Sequence, residues 1–298
     1  MVINLGPEVE DARNLALDET LQRTESSSRL VFDIGLHNGS DTAHYLDRGF
    51  DVVAVEANPT LAEDGRKRFA DAIRSGRLTL IEAGIAKEAG RQLDFYINET
   101  DSEWSSLLPS LGQRGGKYST ISVPTITMAE LLRRYGTPYY MKIDVEGADW
   151  FCINDIAADN PPQYVSVEAN SLEYLAVLYA KGYRRFKLVN QAALIGFVWR
   201  SSGPISDAIT DWECLETVAY DWLHMALGKA ERSSLHDGWF DFHAALGGEE
   251  LVRGVAKPPL PFGRLRRNAP RILRRIRRRI PGAIRRRLKR LVEALSPQ

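Results

Sequence analysis

The stretch 29-RLVFDIGLHNGSDT-42 joins an apolar segment directly to a turn that contains two glycines four residues apart. The apolar residues predict a buried strand. Gly35 and Gly39 allow the backbone to bend sharply and to approach a ligand without a Cβ in the way. Ligands of open parallel sheets bind outside the carboxyl ends of the strands, so we expect this turn to form part of a nucleotide site.

A regular alternation of strands and helices surrounds this turn. We predict strands at 29–34, 51–57, 77–85, 139–145 and 163–169, and helices at 40–49, 59–76, 127–135, 148–157 and 171–181. Edge strands are predicted at 91–98 and 120–126, and a closing pair of strands at 183–189 and 194–199. Strands that alternate with helices imply parallel pairing through right-handed crossovers. The predicted fold class is therefore α/β, with a doubly wound, mostly parallel, Rossmann-like sheet.

The composition of the turn limits the kind of nucleotide that it can bind. Residue 37 is histidine, so the G-x-G-x-x-G pattern of dinucleotide sites is absent, and no G-K-[ST] of a phosphate loop follows. Glu56 ends the second strand 21 residues after Gly35, where a carboxylate can accept hydrogen bonds from both ribose hydroxyls. Asp33 could meet a positive charge or order the turn. The alternative is a simple tight turn followed by a solvated strand end.

A ligand with a ribose and a positive charge but no phosphate is S-adenosylmethionine. We predict that this cofactor contacts the turn and the end of the second strand. The predicted contacts are Asp33, Gly35, His37, Asn38, Gly39, Ser40, Glu56 and Ala57.

The segment 139-YYMKIDVEGADW-150 carries charged residues at alternating positions in an apolar strand: Lys142, Asp144 and Glu146. A period of two places all three on one face. Burial of three charges is unfavourable unless they are paired, so we expect them to pair with each other or with a ligand. A purely structural Lys–Asp pair at a strand end is the alternative.

Taken together, these segments resemble the FkbM-type S-adenosylmethionine-dependent methyltransferases. The similarity covers roughly residues 29–200 and runs in family order through VFDIGLHNGSDT, DVVAVEANP, SSLLPS, ISVPTITMAELL, YYMKIDVEGAD and PQYVSVE. Leu36-His37 departs from the Ala-Asn that family members often have between the two glycines. The resemblance implies a class I methyltransferase sheet of seven strands, in which the last hairpin supplies an antiparallel strand. It also implies O-methylation of a hydroxyl on a sugar, glycolipid or natural product.

In this fold the fourth and fifth strands are neighbours, so Asp144 and Glu168 are expected to converge near the transferable methyl group. One of them is expected to take the proton of the acceptor hydroxyl, with Lys142 tuning its charge and His37 as a further catalytic candidate. The candidates for substrate binding are Glu146, Ser105 and Ser106. Asp144 and Glu168 could also bind Mg²⁺, although the chain has no His-rich metal spacing.

The predicted methyltransferase domain spans 29–200, after an N-terminal helix and linker at 1–28. Residues 201–263 hold Trp212, Trp222 and Trp239 and are predicted to form an ordered flank or cap. Within this flank, His243 could reach the site, but we favour a surface or packing role for it.

The charge of the chain is distributed unevenly. The net charge of the 298 residues is zero, but residues 264–298 contain fourteen Lys or Arg and one acidic residue. Apolar residues four apart from Ile272 to Val292 predict a basic amphipathic tail, interrupted at Pro281-Gly282. Such a tail suits an anionic membrane surface or a partner protein. Nucleic-acid binding is the rival, but the tail lacks aromatic residues for base stacking. A disordered solubilising tail is disfavoured by its isoleucines and leucines.

We expect a cytoplasmic protein, with peripheral binding to the inner face of a membrane as an option, because no run of about 18 apolar residues occurs and the two cysteines lie far apart. Two other functions stay open: an RNA methyltransferase that uses the tail, and a non-catalytic, cofactor-binding membrane scaffold. The charged residues of 139–150 argue against the scaffold. The sequence predicts neither the acceptor nor the oligomeric state.

Overall fold

The computed structural model describes residues 29–191, 212–227 and 240–247. Their strands are β1 (Leu30–Ile34), β2 (Asp51–Glu56), β3 (Leu78–Glu82), β4 (Gly84–Ile85), β5 (Gln92–Asn98), β6 (Tyr118–Ile126), β7 (Tyr140–Ile143), β8 (Tyr164–Glu168), β9 (Tyr183–Asn190) and β10 (Phe240–Leu246). Their helices are α1 (Ser40–Asp47), α2 (Pro59–Arg68), α3 (Ala70–Arg74), α4 (Pro109–Gly112), α5 (Met128–Tyr135), α6 (Asp149–Asp155), α7 (Leu172–Ala180) and α8 (Leu215–Ala226). The predicted N-terminal helix, the strand predicted at 194–199 and the basic tail lie outside the described residues.

The main sheet has seven strands in the order β3-β2-β1-β7-β8-β10-β9. The neighbours from β3 to β8 pair in parallel, and β10 is antiparallel to both β8 and β9. The chain order reverses at β1, from which β2 and β3 lie on one side and β7 and β8 on the other. This arrangement confirms the predicted doubly wound, mostly parallel sheet and its single antiparallel strand.

The antiparallel strand does not come from the segment nearest to β9 in sequence. We predicted that 183–189 would pair with 194–199, whereas the described partner of β9 is β10, inserted between β9 and β8. The segment 240-FDFHAAL-246 alternates apolar and polar residues at its start, as a strand with two different faces requires. Part of the predicted flank therefore belongs to the sheet.

Alternate residues of the central strands enter two different apolar clusters, one on each face of the sheet. Phe32 and Ile34 of β1 belong to the larger cluster, and Val31 belongs to the smaller one on the opposite face. The pairing registers place a row of polar residues on the second face. From β1 to β9 the row contains Asp33, Lys142, Ser166, His243 and Lys187.

A separate three-stranded sheet has the order β4-β6-β5. The predicted edge strands 91–98 and 120–126 therefore pair with each other, antiparallel, and do not extend the main sheet. The predicted strand 77–85 divides at Ala83, because its last residues leave β2 and pair with β6. The loop between β5 and β6 packs against β4: a Cβ on Gly84 would lie 3.0 Å from a methyl carbon of Leu107.

Several helices begin at residues that the sequence marks as caps. Asn58 accepts a hydrogen bond from the amide of Thr60 at the start of α2, and Thr127 accepts one from Glu130 at the start of α5. The predicted helix 59–76 is divided at Phe69 into α2 and α3. No helix among the described residues is both long enough and apolar enough to cross a bilayer.

Candidate active site

A cleft of about 450 Å³ opens at the carboxyl ends of the central strands. This volume lies within the range of small-molecule sites, roughly 300–1,000 Å³. Its lining includes the turn after β1, the ends of β2, β7 and β8, part of β10, and the loop that follows β5. The switch in strand order at β1 is thus also the position of the cleft.

The turn after β1 has a backbone that only glycine allows at its first position. Gly35 has a φ of +97°, and a Cβ there would lie 1.9 Å from the carbonyl oxygen of Asp144. The amides of Gly35 and Leu36 both donate to the carbonyl of Val55, each at 3.0 Å. These contacts fix the turn against the ends of β2 and β7 and keep its backbone exposed to the cleft.

Glu56 holds the second side of the turn. Its carboxylate is buried and accepts the amide of His37 at 2.8 Å with one oxygen and the amide of Asn58 at 2.8 Å with the other. Burial raises the pKa of Glu56, and the two amide hydrogen bonds oppose this shift. Each carboxylate oxygen has two lone pairs, so each can accept a further hydrogen bond from a ligand in the cleft.

Lys142 is the centre of a charge network beneath the turn. Its ammonium donates to the carbonyl of Gly35 at 3.0 Å and lies 3.4–3.5 Å from the carboxylates of Asp33, Asp41 and Asp144. Burial lowers the pKa of Lys142, but the surrounding carboxylates outweigh it and the pKa is raised well above its ordinary value. Lys142 is therefore a permanent cation that ties β7 to the turn.

Asp33 lies below the cleft and does not line it. Its side chain is fully buried, pairs with Lys142, and accepts the hydroxyl of Thr42 at 2.6 Å. Burial raises the pKa of Asp33 to about 6, although Lys142 lowers it. The positive charge that we expected near Asp33 is the ammonium of the protein itself, so the predicted direct contact of Asp33 with the cofactor is not part of this geometry.

Three carboxylates converge on the other side of Lys142, after β7 and β8. Asp144 is about half exposed. Burial, together with Glu168 and Asp144, raises the pKa of Glu146 to about 8. Burial, together with the charge of Asp144, raises the pKa of Glu168 to about 7, against a hydrogen bond from Asn170. Glu146 and Glu168 therefore change their protonation state near neutral pH.

Two loops meet at the mouth of the cleft. His37, which has a φ of +48°, shares a 2.9 Å hydrogen bond between its Nε2 and the hydroxyl of Ser102. Ser105 lines the cleft, and its hydroxyl accepts the amide of Asn98 at 3.1 Å. Ser106 is buried and does not line the cleft. Its hydroxyl donates to the carbonyl of Glu146 at 2.6 Å, so it holds the wall and is not placed to contact a substrate.

The cleft brings most of the predicted residues together. Those that line it are Gly35, His37, Asn38, Ser40, Glu56, Ala57, Ser105, Lys142, Asp144, Glu146 and Glu168. Gly39 lies behind the turn, where a Cβ would lie 2.6 Å from a ring carbon of Phe69. The contacts of these residues with a ligand stay predictions.

The cleft also contains residues that the sequence analysis missed. Polar residues among them are Asp41 on α1, Tyr140, Ser166 and Asp241 on strands, and Gln191 directly after β9, and His243 lines the cleft as well. His243 therefore faces the site, although we expected a packing or surface role. Asp241 and His243 share one face of β10, a signal that the alternation in 240-FDFHAAL-246 carries once that segment is read as a strand.

A family model described as the methyltransferase FkbM domain matches residues 33–185, just over half of the chain. The chain belongs to this family. It is therefore an S-adenosylmethionine-dependent methyltransferase, as the motifs at 31–42 and 139–149 predicted.

Similarity to individual proteins is local or distant. The chain is 41% identical over 61 residues to a probable ribosomal RNA small subunit methyltransferase A of Methanospirillum hungatei JF-1, which is 20% of this chain and 24% of that protein. The chain thus matches about a quarter of the length of this relative. Among solved structures, a precorrin-6y C5,15-methyltransferase from Geobacter metallireducens GS-15 is 14% identical, with a TM-score of 0.34 and 72% of this chain and 79% of that chain covered. An S-adenosylmethionine-dependent O-methyltransferase from Thermotoga maritima is 11% identical, with a TM-score of 0.32 and coverage of 83% and 68%.

The residues of the cleft in the FkbM domain fit S-adenosylmethionine. The free lone pairs of Glu56 suit the two ribose hydroxyls, and the missing Cβ of Gly35 lets the turn lie directly against the carbonyl of Asp144 at the edge of the cleft. Ala57, Leu61 and Ile85 add apolar surface beside Glu56 that suits a purine. A divalent metal has no comparable support, because no group of three or more His, Cys, Asp or Glu in the described parts of the chain is arranged to hold one.

Proposed function

We propose that this methyltransferase transfers the methyl group of S-adenosylmethionine to a hydroxyl of an uncharged acceptor: a sugar, a glycolipid or another natural product. The observation that carries the proposal is the group of carboxylates beside the turn, in which Glu146 and Glu168 have pKa values of about 8 and about 7. A hydroxyl must lose its proton as it attacks a methyl group. A base whose pKa lies near the working pH performs this transfer best.

The charges of the network support Glu168 as the base. The carboxylate of Asp144 is already paired with the ammonium of Lys142 at 3.4 Å, so it is engaged in the charge network. Glu168 forms no ion pair with a lysine or arginine in the described parts of the chain, and the charges of Asp144 and Asp149 raise its pKa, although Arg114 lowers it. Because the pKa of Glu168 is about 7, an appreciable fraction of this group is ionised at neutral pH and can accept a proton.

When bound, S-adenosylmethionine supplies a methyl group on a positively charged sulfur. The role of this chain is to position the cofactor and to balance its positive charge. Asp144 places a negative charge at the end of β7, where a cationic ligand is favoured, and Lys142 keeps that charge in place through the turn. The covering loop, which contacts the turn through Ser102 and His37, reduces the access of water to the cleft.

The charge of the cleft also selects among acceptors. Among the described residues that line it, Lys142 is the one lysine or arginine, against eight acidic residues: Asp41, Glu56, Asp101, Glu103, Asp144, Glu146, Glu168 and Asp241. A phosphate group would be repelled by such a lining. An uncharged polyol is not.

RNA methylation is the second candidate. It is favoured by the local similarity to a probable ribosomal RNA methyltransferase and by the arginine-rich segment 264–298, which could capture phosphates. The acidic cleft opposes it, because an RNA acceptor would bring several phosphates close to the carboxylates.

The test is label transfer from S-adenosylmethionine with an isotopic methyl group to three panels: neutral glycosides with a glycolipid extract, small amines, and RNA. We expect label on hydroxyl oxygens of the first panel, identified by mass spectrometry. Label on RNA alone would replace the proposal with the second candidate. Cofactor binding without transfer to any panel would favour the non-catalytic alternative.

A further inference from the structure

A second group of polar side chains lines the cleft beyond Glu168, on the antiparallel strand β10 and its neighbours. Asp241 is paired directly with Glu168 across β8 and β10, and His243 is paired with Ser166. All four residues line the same cleft. Because β7 and β8 lie between β1 and β10 in the sheet, the residues of β10 lie on the far side of the cleft from the turn after β1.

The groups of this wall are uncharged or weakly charged. His243 is 4% exposed. Burial, aided by the charge of Lys187, lowers its pKa to about 3, so its imidazole is neutral. Burial raises the pKa of Asp241 well above its ordinary value, so its carboxyl tends to keep its proton. Gln191 donates its side-chain amide to Asp241.

Three residues that line the cleft have hydrogen-bonding capacity that the described chain leaves unused. Nε2 of His243 is buried and has no hydrogen-bond partner among the residues that the structure describes. The hydroxyls of Tyr140 and Ser166 share one hydrogen bond at 2.7 Å, and the hydroxyl of Tyr140 also bonds to Tyr45, so each of the two hydroxyls can still form one more hydrogen bond. A buried polar atom without a partner is unfavourable, so a ligand that satisfies it binds more tightly.

We propose that Tyr140, Ser166, Gln191, Asp241 and His243 form the acceptor subsite, here named the distal wall, and that it binds adjacent hydroxyl groups of an uncharged ring such as a sugar. A hydroxyl both donates and accepts, as does this set of side chains. Among the described residues that line the cleft, the one cation that an anion could meet is the ammonium of Lys142, which is already shared among Gly35 and three carboxylates. This inference rests on the proposed O-methyltransferase function, which it extends to acceptor recognition.

The experiment measures binding and methyl transfer separately. Affinities of methyl glucoside, methyl galactoside and methyl mannoside are measured by saturation-transfer difference NMR on the full chain with S-adenosylhomocysteine present, and transfer is followed with labelled S-adenosylmethionine. The variant is His243→Phe, which keeps a ring of similar size and removes both nitrogens. We expect the affinity for the glycosides to fall at least ten-fold, with the affinity for S-adenosylhomocysteine, measured by calorimetry, unchanged within two-fold.

The chain offers a matched control in His44→Phe. Nε2 of His44 is also buried without a hydrogen-bond partner in the described residues, but His44 lies on α1 and does not line the cleft. This control is expected to change neither affinity. His243→Gln, which keeps a polar group, is expected to recover most of the lost glycoside affinity, and Asp241→Asn tests the same wall by a substitution that preserves shape.

The outcomes separate the two proposals. Glycosides that bind to the wild type, lose affinity in His243→Phe and are not methylated would leave the distal wall standing and refute the proposed reaction. Glycosides that are methylated but bind equally well to the wild type and to His243→Phe would refute the distal wall alone. Absence of binding to the wild type, or at least ten-fold tighter binding of glucosamine than of methyl glucoside, would overturn the assignment to uncharged hydroxyl groups.

Discussion

Replacement of Lys142 by methionine tests the charge network on which the site is built. Methionine is apolar and of similar length, so the change removes the charge and preserves most of the volume. In the wild type the ammonium compensates the fully buried Asp33 and the nearby Asp41 and Asp144, and it holds the carbonyl of Gly35. Without it, Asp33 is a buried carboxylate that lacks a cation.

The magnitude follows from the burial of Asp33. Even with Lys142 present, its pKa is about 6 against an ordinary 3.8. This shift of about two units corresponds to about 3 kcal/mol of unfavourable ionisation, at 1.36 kcal/mol per unit. Removal of one partner from a buried ion pair destabilises a protein by about 3–5 kcal/mol. We therefore expect the free energy of unfolding of Lys142→Met to fall by about 3–5 kcal/mol at pH 8.

The pH dependence has a definite sign. A carboxyl with a higher pKa in the folded protein than in the unfolded chain takes up a proton on folding, so stability is lost as the pH rises between the two values. For Asp33 of the wild type this loss ends near pH 6. In Lys142→Met it continues to higher pH, because the lowering effect of the ammonium is gone. The difference between the two proteins is thus small at pH 5 and large at pH 8.

The assay is urea unfolding followed by circular dichroism at pH 5 and pH 8. The double variant Asp33→Asn/Lys142→Met is expected to recover at least about half of the loss at pH 8, because the buried charge is absent. Lys67→Met is the surface control. Lys67 is 68% exposed and pairs with exposed acids, so its loss should stay below about 1 kcal/mol. A loss for Lys142→Met that is equally large at pH 5 and pH 8, or that Asp33→Asn fails to reduce, would refute the network as described.

Three further predictions concern the reaction, the turn and the tail. Glu168→Gln should lower the rate of methyl transfer about 100-fold or more, and its affinity for S-adenosylhomocysteine in calorimetry should be unchanged. Because the base must be ionised, kcat/KM of the wild type should rise with pH through about 7. An equal rise in the variant would contradict the assignment of Glu168 as the base. Gly35→Ala should abolish detectable cofactor binding, because its Cβ would lie 1.9 Å from the carbonyl of Asp144. The control for backbone strain alone is Gly76→Ala, since Gly76 has a φ of +75° and nothing lies within 4 Å of its Cβ. Similar cofactor binding by the two variants would exclude the steric argument. Removal of residues 264–298 should abolish co-sedimentation with anionic vesicles, and no binding of the full chain to such vesicles would count against a membrane role for the tail.

The cofactor side of the cleft could be predicted from the sequence because its signals are local. A glycine with a positive φ follows a strand, and an acidic residue ends the next strand, so Gly35 and Glu56 meet in any parallel pair of this kind. The alternation of Lys142, Asp144 and Glu146 likewise reported one face of one strand. The strand order and the convergence of Asp144 with Glu168 followed from the family resemblance.

The remainder depends on contacts between distant segments, which local patterns do not specify. Asp33 was predicted to meet the charge of a ligand, but a lysine more than one hundred residues further on takes that place. Ser106 was predicted to bind substrate, but its hydroxyl is used by the carbonyl of Glu146. His243 was placed at the surface or in packing, since nothing near it in sequence shows that β10 enters the sheet between β8 and β9.

The position of β10 also sets an order of events during synthesis. Within the described sheet β9 pairs with β10 and with no other strand, so β9 cannot complete its edge of the sheet until residues 191–239 have left the ribosome and β10 has followed. Domains with such non-local pairings fold slowly, and their unpaired strand edges are exposed to aggregation in the interval. A chain that stops anywhere in 191–239 carries every residue of the cofactor turn and neither Asp241 nor His243. Ribosomal stalling in this segment would therefore be expected to yield a protein with a cofactor turn and an unfinished acceptor side.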